Sequence, residues 1–263
     1  MHGQASHLHT LSTYRSLKLN RAFEPMQHLS LTLPTLPENL ALDEALLLEA
    51  EDGRSDEILR FWQWPSWAVV LGAGGVVSDD VESEACEKDG VPIFRRSSGG
   101  GTVLLGPGCF LFTLVLNMER RPELQQIGSS YRFILTRVAA SLRDLESNIE
   151  LAGTSDLAIL GRKFSGNSQQ RKRRVLMHHG TILHGMDFSQ VSRYLQLPPR
   201  QPDYRGRRAH EEFLMNLRLE TSEIQSRIRS VWQATVERHD WPQERVAQLT
   251  HERFGQRDWI NRR

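Results

Sequence analysis

The sequence is poor in several features that would each point to a particular class of protein. It has two cysteines, Cys86 and Cys109, without CxxC spacing, so neither a disulfide framework nor a zinc site is indicated. No apolar run approaches the roughly 20 residues of a membrane span, and the first ten residues lack the basic start and apolar stretch of a secretory signal. We therefore expect a cytoplasmic protein that does not insert into a membrane.

Excess charge is also missing. The formal net charge is +1 over 263 residues, of which 39% are hydrophobic, as is typical of a globular protein. The basic run at residues 171–174 has no interleaved aromatic residues. Because nucleic-acid binding usually needs net positive charge or aromatic stacking surfaces, we expect no nucleic-acid partner and interpret the run as a solvated turn.

Two common nucleotide-binding motifs are absent. The chain contains no GxxxxGK[ST] segment, so a P-loop is not indicated. The stretch VVLGAGGVV supplies Gly72 and Gly74 of a GxGxxG fingerprint, but Val77 stands where a small residue must let the helix pack closely. A tight turn is the better interpretation of this segment.

Hydrophobic patterning predicts an α+β fold, with a mixed or mainly antiparallel sheet and helices packed on it. Asn39 is the predicted N-cap of an amphipathic helix that closes at Gly53, and residues 122–145 form a second long helix. Strands are predicted in ILRFWQW, WAVVLGAGG, VPIFRR, TVLLG, CFLFTLVLN, IELAG, DLAILGRKFSGNSQ and RVLMHHGTILHG, and a short helix between Ser78 and Gly90. We divide the chain into a polar segment 1–35, a central α+β domain 36–217 and a C-terminal extension 218–263 with two helices.

The stretch RRSSGGGTVLLGPGCF contains the strongest local signal. Consecutive glycines leave N–H groups unshielded and permit positive φ, so they can form a concave nest for a phosphate or carboxylate. Arg95 and Arg96 point to opposite faces if a strand precedes the glycines, so one can bind the anion while the other serves the surface. A flexible hairpin loop is the alternative.

A second signal is GRKFSGNSQQR, where Lys163 lies near Gly161 and Gly166 in a predicted hairpin. A lysine so placed is a candidate point charge for a carboxylate or phosphate. The alternative is a solvated lysine at a strand end. His178 and His179 follow on the next predicted strand without zinc-ligand spacing, so no metal site is expected from them.

Taken together and in this order, RRSSGGGTVLLGPGCF, GRKFSGNSQQR and HHGTIL resemble the lipoate-protein ligase A family, within the wider group of biotin ligases, lipoate ligases and octanoyltransferases. The resemblance covers about residues 36–217. It implies a catalytic domain related to class II aminoacyl-tRNA synthetases. It also implies that ATP and lipoate form lipoyl-adenylate, which then acylates a lysine of a lipoyl domain.

The resemblance assigns roles by position. Lys163 resembles the lysine that contacts both acyl carbonyl and phosphate, Arg96 the arginine that contacts nucleotide, and Asp156 an acidic residue that can serve Mg²⁺. FWQW and AVVLG would wall the channel for the acyl chain. The implied adenylate site comprises Arg96, Ser98, Gly99, Gly100, Gly101, Thr102, Val103, Leu104 and Lys163, and the implied lipoate pocket Lys163, His179, Gly180 and Thr181.

The implied acceptors are lipoyl domains of 2-oxoacid dehydrogenase E2 subunits or the glycine cleavage H protein, and a separate accessory-domain protein is a further partner to consider. One alternative is octanoyl transfer from acyl carrier protein through a cysteine thioester, but no cysteine follows Cys109. Others are transfer from a preformed adenylate and a non-catalytic lipoate-binding protein. Residues 198–217, with four arginines, are interpreted as a loop that closes over the adenylate or as a basic linker.

Overall fold

Two β-sheets organise residues 25–262, which are the part of the chain that the computed structural model describes. Most of the predicted polar segment 1–35 therefore lies outside the described residues. The eight-stranded sheet consists of β1 (Gln27–Ser30), β2 (Ile58–Gln63), β6 (Cys109–Asn117), β7 (Ile149–Ala152), β8 (Asp156–Ile159), β9 (Arg162–Arg171), β10 (Val175–Leu183) and β11 (Val236–Glu237). The three-stranded sheet consists of β3 (Ala68–Leu71), β4 (Ile93–Arg95) and β5 (Val103–Leu105).

The large sheet is mixed, as predicted. Its order is β11-β1-β2-β6-β10-β9-β8-β7, with β1 parallel to both of its neighbours and the remaining pairs antiparallel. In the small sheet the order is β4-β3-β5, and β3 runs parallel to β4. The two predicted strands around Pro65 are confirmed, but they belong to different sheets.

Strand β6 is apolar except for Thr113 and the terminal Asn117, and its position in the sheet explains why. Leu111 and Val115 face one side of the large sheet, and Phe112 and Leu114 face the other. Because helices or the small sheet cover both faces, neither side of this central strand needs polar residues. An alternating pattern would have been expected only for a sheet with one solvated face.

Helices α4 and α7 cover one face of the large sheet. The opposite face carries α1, α8 and the small sheet, so the protein has three layers. The helices are α1 (Leu36–Glu51), α2 (Val77–Asp80), α3 (Ser83–Asp89), α4 (Ile127–Leu142), α5 (Phe188–Tyr194), α6 (His210–Phe213), α7 (Thr221–Val231), α8 (Gln243–Leu249) and α9 (Arg257–Ile260).

The predicted start of α1 is wrong by four residues. Thr35 is the N-cap, and it forms a capping box with Glu38. Asn39 lies inside the helix, where its buried amide bonds to the main chain of Leu33 and Thr35. Helix α1 is also buried nearly all round in its first three turns, because α8 and the turn Thr250–Phe254 cover the side that an amphipathic helix would expose to water.

Two other boundaries differ from the prediction. The segment predicted as a single strand, DLAILGRKFSGNSQ, forms β8 and β9, joined by a turn in which Leu160 and Gly161 have φ of 49° and 71°. The helix predicted from Ser78 is split into α2 and α3, and it ends at Gly90 with φ of 67°, as predicted. Positive φ at Leu160 is unusual for a branched residue and was not readable from composition.

The C-terminal part contributes more than the two predicted helices. Helix α7 packs on α4, β11 extends the large sheet beside β1, and α8 packs on α1. The boundary at residue 217 stays a prediction. Within residues 25–262, no helix combines the length and apolar character that crossing a lipid bilayer requires.

Candidate active site

A cavity of about 170 Å³ lies between the large sheet, the small sheet and α1. Strands β9 and β10 and helix α1 line one side, and β3, β5 and the loop between β4 and β5 line the other. Most of the predicted site residues line it: Arg96, Gly100, Gly101, Thr102, Val103, Asp156, Lys163, His179, Gly180 and Thr181. Ser98, Gly99 and Leu104 are not among the lining residues, since Leu105 rather than Leu104 faces the cavity from β5.

The glycine loop, defined here as residues 97–102, is shaped from inside by Arg96. The buried guanidinium donates to the carbonyls of Gly99 at 2.6 Å and Gly101 at 2.8 Å. It also donates to Ser98 Oγ at 3.0 Å, and burial lowers the pKa of Arg96 to about 10. The carbonyls therefore turn toward Arg96, and within residues 25–262 no hydrogen bond uses the N–H groups of Gly99, Gly100 or Gly101. This arrangement is a candidate anion nest.

Only glycine fits at one point of this loop and at one point of the turn that contacts it. Gly100 has φ of +84°, and a Cβ there would lie 3.0 Å from Arg96 Nη2. A Cβ on Gly72, in the turn after β3, would lie 2.0 Å from the carbonyl oxygen of Gly100. The VVLGAGG segment is therefore a tight turn, as predicted, and its glycine lets the backbone of the two loops touch.

The second arginine does not serve the surface, contrary to the prediction. Arg95 is fully buried, and it donates to the carbonyls of Gly72 at 3.0 Å and Gly75 at 2.7 Å. Both arginines therefore organise backbone around the glycine loop, on its two sides. Strand alternation correctly predicted that the two side chains point in different directions, but the expectation that one of them is exposed to solvent is wrong.

Lys163 points into the cavity from the start of β9, next to a bulge in the β8–β9 pairing. Its Nζ lies 2.8 Å from Asp156 Oδ1, and a Cβ on Gly166 would lie 2.7 Å from the same Nζ. Gly166 lies within β9 rather than in a turn, and the missing side chain gives the ammonium room. Bulges commonly re-aim side chains beside active sites.

Asp156 connects Lys163 to the segment 198–217. Tyr204 donates its hydroxyl hydrogen to Asp156 Oδ2 at 2.7 Å. Burial, followed by the neighbouring Asp156 charge, raises the pKa of Tyr204 well above its usual value, so the phenol stays protonated. Tyr204 was not predicted as a site residue, because a tyrosine in a Pro- and Arg-rich segment carries no signal of its partner.

A second network joins α1 to the glycine loop. His179 Nε2 lies 2.6 Å from Ser98 Oγ, and His179 Nδ1 lies 3.3 Å from Asp43 Oδ2. Burial opposes ionisation of Asp43, but the Arg60 guanidinium at 2.5 Å and His179 hold the pKa of this carboxyl below its usual range. The network holds the His179 ring at the cavity wall.

Asp43 was not predicted as a site residue, because it lies within α1 next to Glu44, where charged residues are common on a helix. One signal was available. Asp43 lies three residues after Leu40 and four before Leu47, both of which are buried, so it falls on an apolar face of the helix. A carboxylate on such a face needs a buried partner, which Arg60 supplies.

Neither thiol reaches the cavity. Cys86 and Cys109 are both free, buried and absent from the lining residues. Burial raises the pKa of Cys109 to about 12, and burial followed by the charge of Asp89 raises the pKa of Cys86. A thiol is nucleophilic as the thiolate, so both environments suppress the reactive form.

The donor set does not form a resident metal centre. Among the described residues, no group of three or more His, Cys, Asp or Glu side chains is arranged to hold a metal ion. The two oxygens of Asp156 are engaged by Lys163 and Tyr204. A magnesium ion at Asp156 would therefore need most of its ligands from water or from substrate phosphates.

The fold and the cavity define an α+β domain in which a lysine and a candidate anion nest face one cavity. The family of the lipoyl protein ligase A/B catalytic domain matches residues 35–238, and the chain belongs to this family.

Relatives with two kinds of name are similar to it. The probable lipoate-protein ligase A of Mycoplasma pneumoniae is 28% identical over 180 residues, which cover 68% of this chain and 52% of the relative. The octanoyltransferase LipM of Carboxydothermus hydrogenoformans is 32% identical over 177 residues, which cover 60% of this chain and 65% of the relative. The chain thus spans about half the length of this ligase relative.

Solved lipoate ligases share the fold. A bi-partite lipoate protein ligase from Thermoplasma acidophilum, studied with its E2 lipoyl domain, superposes with a TM-score of 0.74 at 21% identity, covering 90% of this chain and 96% of that one. A lipoate-protein ligase A bound with ATP superposes with a TM-score of 0.75 at 22% identity, covering 90% and 99%. The predicted α+β lipoate ligase fold is confirmed.

Proposed function

We propose that this chain is a lipoate-protein ligase, which activates lipoate or octanoate with ATP and transfers the acyl group to a lysine of a lipoyl domain. One observation carries the proposal. The Lys163 ammonium and the glycine loop face one cavity, which has an apolar part formed by residues such as Trp62, Val70 and Leu111 and whose lining, among the described residues, contains no thiol. Such a site suits an acid that is activated on phosphate rather than on sulfur.

The chemistry has two steps. In adenylation, a lipoate carboxylate oxygen attacks the α-phosphorus of ATP, and pyrophosphate leaves. In transfer, the amine of the acceptor lysine attacks the acyl carbonyl, the bond from carbon to the phosphate oxygen breaks, and AMP leaves while the amine loses a proton. Negative charge develops on the α-phosphate oxygens in adenylation and on the acyl carbonyl oxygen in transfer. Because these atoms adjoin in the mixed anhydride, the Lys163 ammonium in the cavity can stabilise both.

The remaining residues divide between the two ends of the acyl-adenylate. The free N–H groups of the glycine loop receive the phosphate, with Arg96 keeping the loop in shape. The acyl chain lies against apolar walls formed by Trp62, Val70 and Leu111. His179, Gly180 and Thr181 lie on β10 beside it.

Mg²⁺ belongs to this proposal as an ion that arrives with the ATP phosphates. Asp156 faces the cavity and is the nearest carboxylate to Lys163, so it is the side chain that would face the ion. The assignment follows from the donor set, since Mg²⁺ usually combines one or two carboxylates with substrate phosphates and water.

Octanoyl transfer through a cysteine thioester is the competing function, because relatives named octanoyltransferase are equally similar. That route needs a thiolate at the cavity. Cys109 and Cys86 are buried outside it, with raised pKa values. The positions of both thiols therefore support the ligase.

The partners that we propose are lipoyl domains of 2-oxoacid dehydrogenase E2 subunits or the glycine cleavage H protein, in the cytoplasm. The structural similarity to a bi-partite ligase supports an accessory-domain protein as an additional partner for adenylation. Without such a partner, the chain would transfer lipoate only from preformed adenylate. A non-catalytic lipoate binder is disfavoured by the presence of Lys163 in the cavity.

The test uses the Cys86→Ser, Cys109→Ser double variant beside the wild type. Each is given a lipoyl domain with ATP plus lipoate, with lipoyl-adenylate, or with octanoyl-acyl carrier protein, and the mass of the domain is measured. We expect both proteins to acylate the domain from lipoyl-adenylate at similar rates. An octanoyl thioester on the wild type, with loss of all transfer in the folded double variant, would instead establish the transferase.

A further inference from the structure

The last described helix, α9, binds a buried side chain of the strand that leads into the glycine loop. The carbonyl oxygens of Trp259 and Ile260 each accept from Arg95 Nε at 3.0 Å, and Ile260 also accepts from Nη2 at 2.5 Å. These residues lie beyond the family match at residues 35–238. We call residues 257–262 the C-terminal segment.

The same guanidinium reaches in the other direction to the turn after β3. Its Nη1 donates to the carbonyls of Gly72 at 3.0 Å and Gly75 at 2.7 Å. Because an arginine keeps its charge in proteins and Arg95 is fully buried, each of these carbonyls replaces water that the side chain has lost. Arg95 therefore cross-links the C-terminal segment to this turn.

The turn after β3 contacts the glycine loop directly. The N–H of Ala73 donates to the carbonyl of Ser98 at 2.8 Å. The close approach of Gly72 to the carbonyl of Gly100 leaves no room for even a methyl group. A displacement of the turn must consequently displace the loop, because close-packed backbone transmits movement rather than absorbing it.

Trp259 holds the C-terminal segment against this assembly. Its indole Nε1 donates to the carbonyl of Arg95 at 2.8 Å. The guanidinium carbons of Arg262 and Arg253 lie 4.0 Å and 5.0 Å from the centroid of the Trp259 ring, so two cations contact this ring. Arg262 also donates to the carbonyl of Ala73, so the C-terminal segment contacts the turn after β3 directly.

We propose that the C-terminal segment is a positioning element of the glycine loop, with Trp259 as its principal positioning residue. That it supports acyl-adenylate binding rests on the proposed function, whereas the mechanical coupling does not. A helix outside the region that defines the family thereby tunes the shape of the phosphate end of the site.

The coupling is tested by amide hydrogen exchange on the full chain carrying Trp259→Ala. Trp241→Ala is the matched control, because Trp241 is a half-buried tryptophan in the same part of the chain that packs on the core instead of on Arg95. We expect exchange of the Ala73 and Arg96 amides, which donate to the carbonyls of Ser98 and Leu71 where the turn meets the glycine loop, to accelerate about tenfold in Trp259→Ala, from loss of one hydrogen bond and the cation contacts. Strands β6 and β10 should be unaffected in both variants.

Unchanged exchange of the Ala73 and Arg96 amides in a folded Trp259→Ala protein would overturn the proposal. Trp259→Phe provides a second variant in case the alanine variant does not fold. It keeps a ring for the arginines but loses the indole N–H, so a smaller acceleration, about fivefold, is expected. If the alanine variant does not fold, equal exchange of these amides in Trp259→Phe and wild type would contradict the proposal.

A second measurement separates this inference from the function. The affinity for lipoyl-adenylate should fall about tenfold in Trp259→Ala, while KM for the lipoyl domain stays at the wild-type value. Faster exchange with undiminished adenylate affinity would leave the coupling intact but remove the glycine loop from the adenylate site. That result would count against the proposed function, and not against the positioning of the loop.

Discussion

Replacement of Lys163 by Met removes the one side-chain cation that the proposed chemistry uses in both steps. Met retains much of the apolar stem and deletes the ammonium. Loss of a single preorganised electrostatic donor commonly costs about 10²–10³ in rate, or about 3–4 kcal/mol. Because Lys163 serves both steps, adenylation and transfer should each fall by at least this factor.

The structure adds a consequence for stability. Lys163 Nζ lies 2.8 Å from Asp156, whose side chain is 8% exposed. The Met variant therefore leaves a nearly buried carboxylate with only neutral donors, Tyr204 at 2.7 Å and Ser155 at 3.4 Å, among the described residues. We expect the free energy of unfolding to fall by about 1–3 kcal/mol. The double variant Asp156→Asn, Lys163→Met removes the buried charge and should recover most of this loss without recovering activity.

The assay measures pyrophosphate release for adenylation and mass gain of a lipoyl domain from lipoyl-adenylate for transfer. Lys88→Met is the control, because Lys88 is exposed on α3. Wild-type transfer from the adenylate in the Lys163→Met protein would restrict Lys163 to activation. Survival of both steps would refute its role and make it a solvated strand-end lysine.

Three further changes test other parts of the site. Gly100→Val imposes a branched side chain at φ of +84°, so we expect adenylate affinity to fall at least tenfold in a folded protein, measured by calorimetry. Tyr204→Phe removes the hydrogen bond to Asp156 and should lower the transfer rate by about fivefold and speed proteolysis of residues 198–208. Burial lowers the pKa of His178 to about 3, so the unfolded chain binds an extra proton between about pH 6.5 and 3, and stability should fall as pH falls through this window. Unfolding free energies of wild type and His178→Asn at pH 7 and pH 5 should show a smaller pH dependence in the variant.

The glycine and tyrosine changes each have a matched control. Gly128→Ala lies in α4 with open space around a Cβ and should leave adenylate affinity unchanged. Tyr194→Phe also removes a hydrogen bond from a phenol to a carboxylate, that of Asp89. Neither residue lines the cavity, so transfer should be unaffected. Equal loss of transfer in both tyrosine variants, an unaltered affinity in Gly100→Val, or an identical pH dependence in His178→Asn would contradict the respective prediction.

The cavity was partly predictable because its parts lie on short, recognisable segments. The glycine loop and Lys163 were identified as candidates from local sequence, because consecutive glycines and a lysine near two glycines can each be recognised within one short segment. The structure places Gly100 at positive φ and Lys163 in the cavity. The ordered set of motifs then indicated the family. The roles of the individual residues stay predictions.

The site residues that the sequence did not predict are those whose role depends on a partner far away in the chain. Asp43 and Arg60 lie 17 positions apart, and Tyr204 and Asp156 lie 48 apart. Arg95 was assigned to the surface because the residues that bury it, Trp259 and Ile260, are more than 160 positions away. Side-chain pairs of this kind have no local pattern, and only the tertiary fold brings them together.

The C-terminal region illustrates the same limit for the fold. Its apolar stripes predicted α7 and α8, but two-residue β11 and four-residue α9 are too short to show periodicity. Helix α1 was predicted as amphipathic because its spacing fits one buried face, yet α8 covers the other. Burial of a helix on two sides depends on tertiary packing, so it could not be predicted from the sequence of α1 alone.

The most direct test of the central claim is a single comparison of acyl donors with the purified wild-type chain. A lipoyl domain is incubated with lipoyl-adenylate in one reaction and with octanoyl-acyl carrier protein in another, and the acylated lysine is quantified by mass spectrometry. The account predicts rapid acylation from the adenylate and none from the carrier protein. Acylation from the carrier protein through a thioester at Cys109, with none from the adenylate, would contradict it.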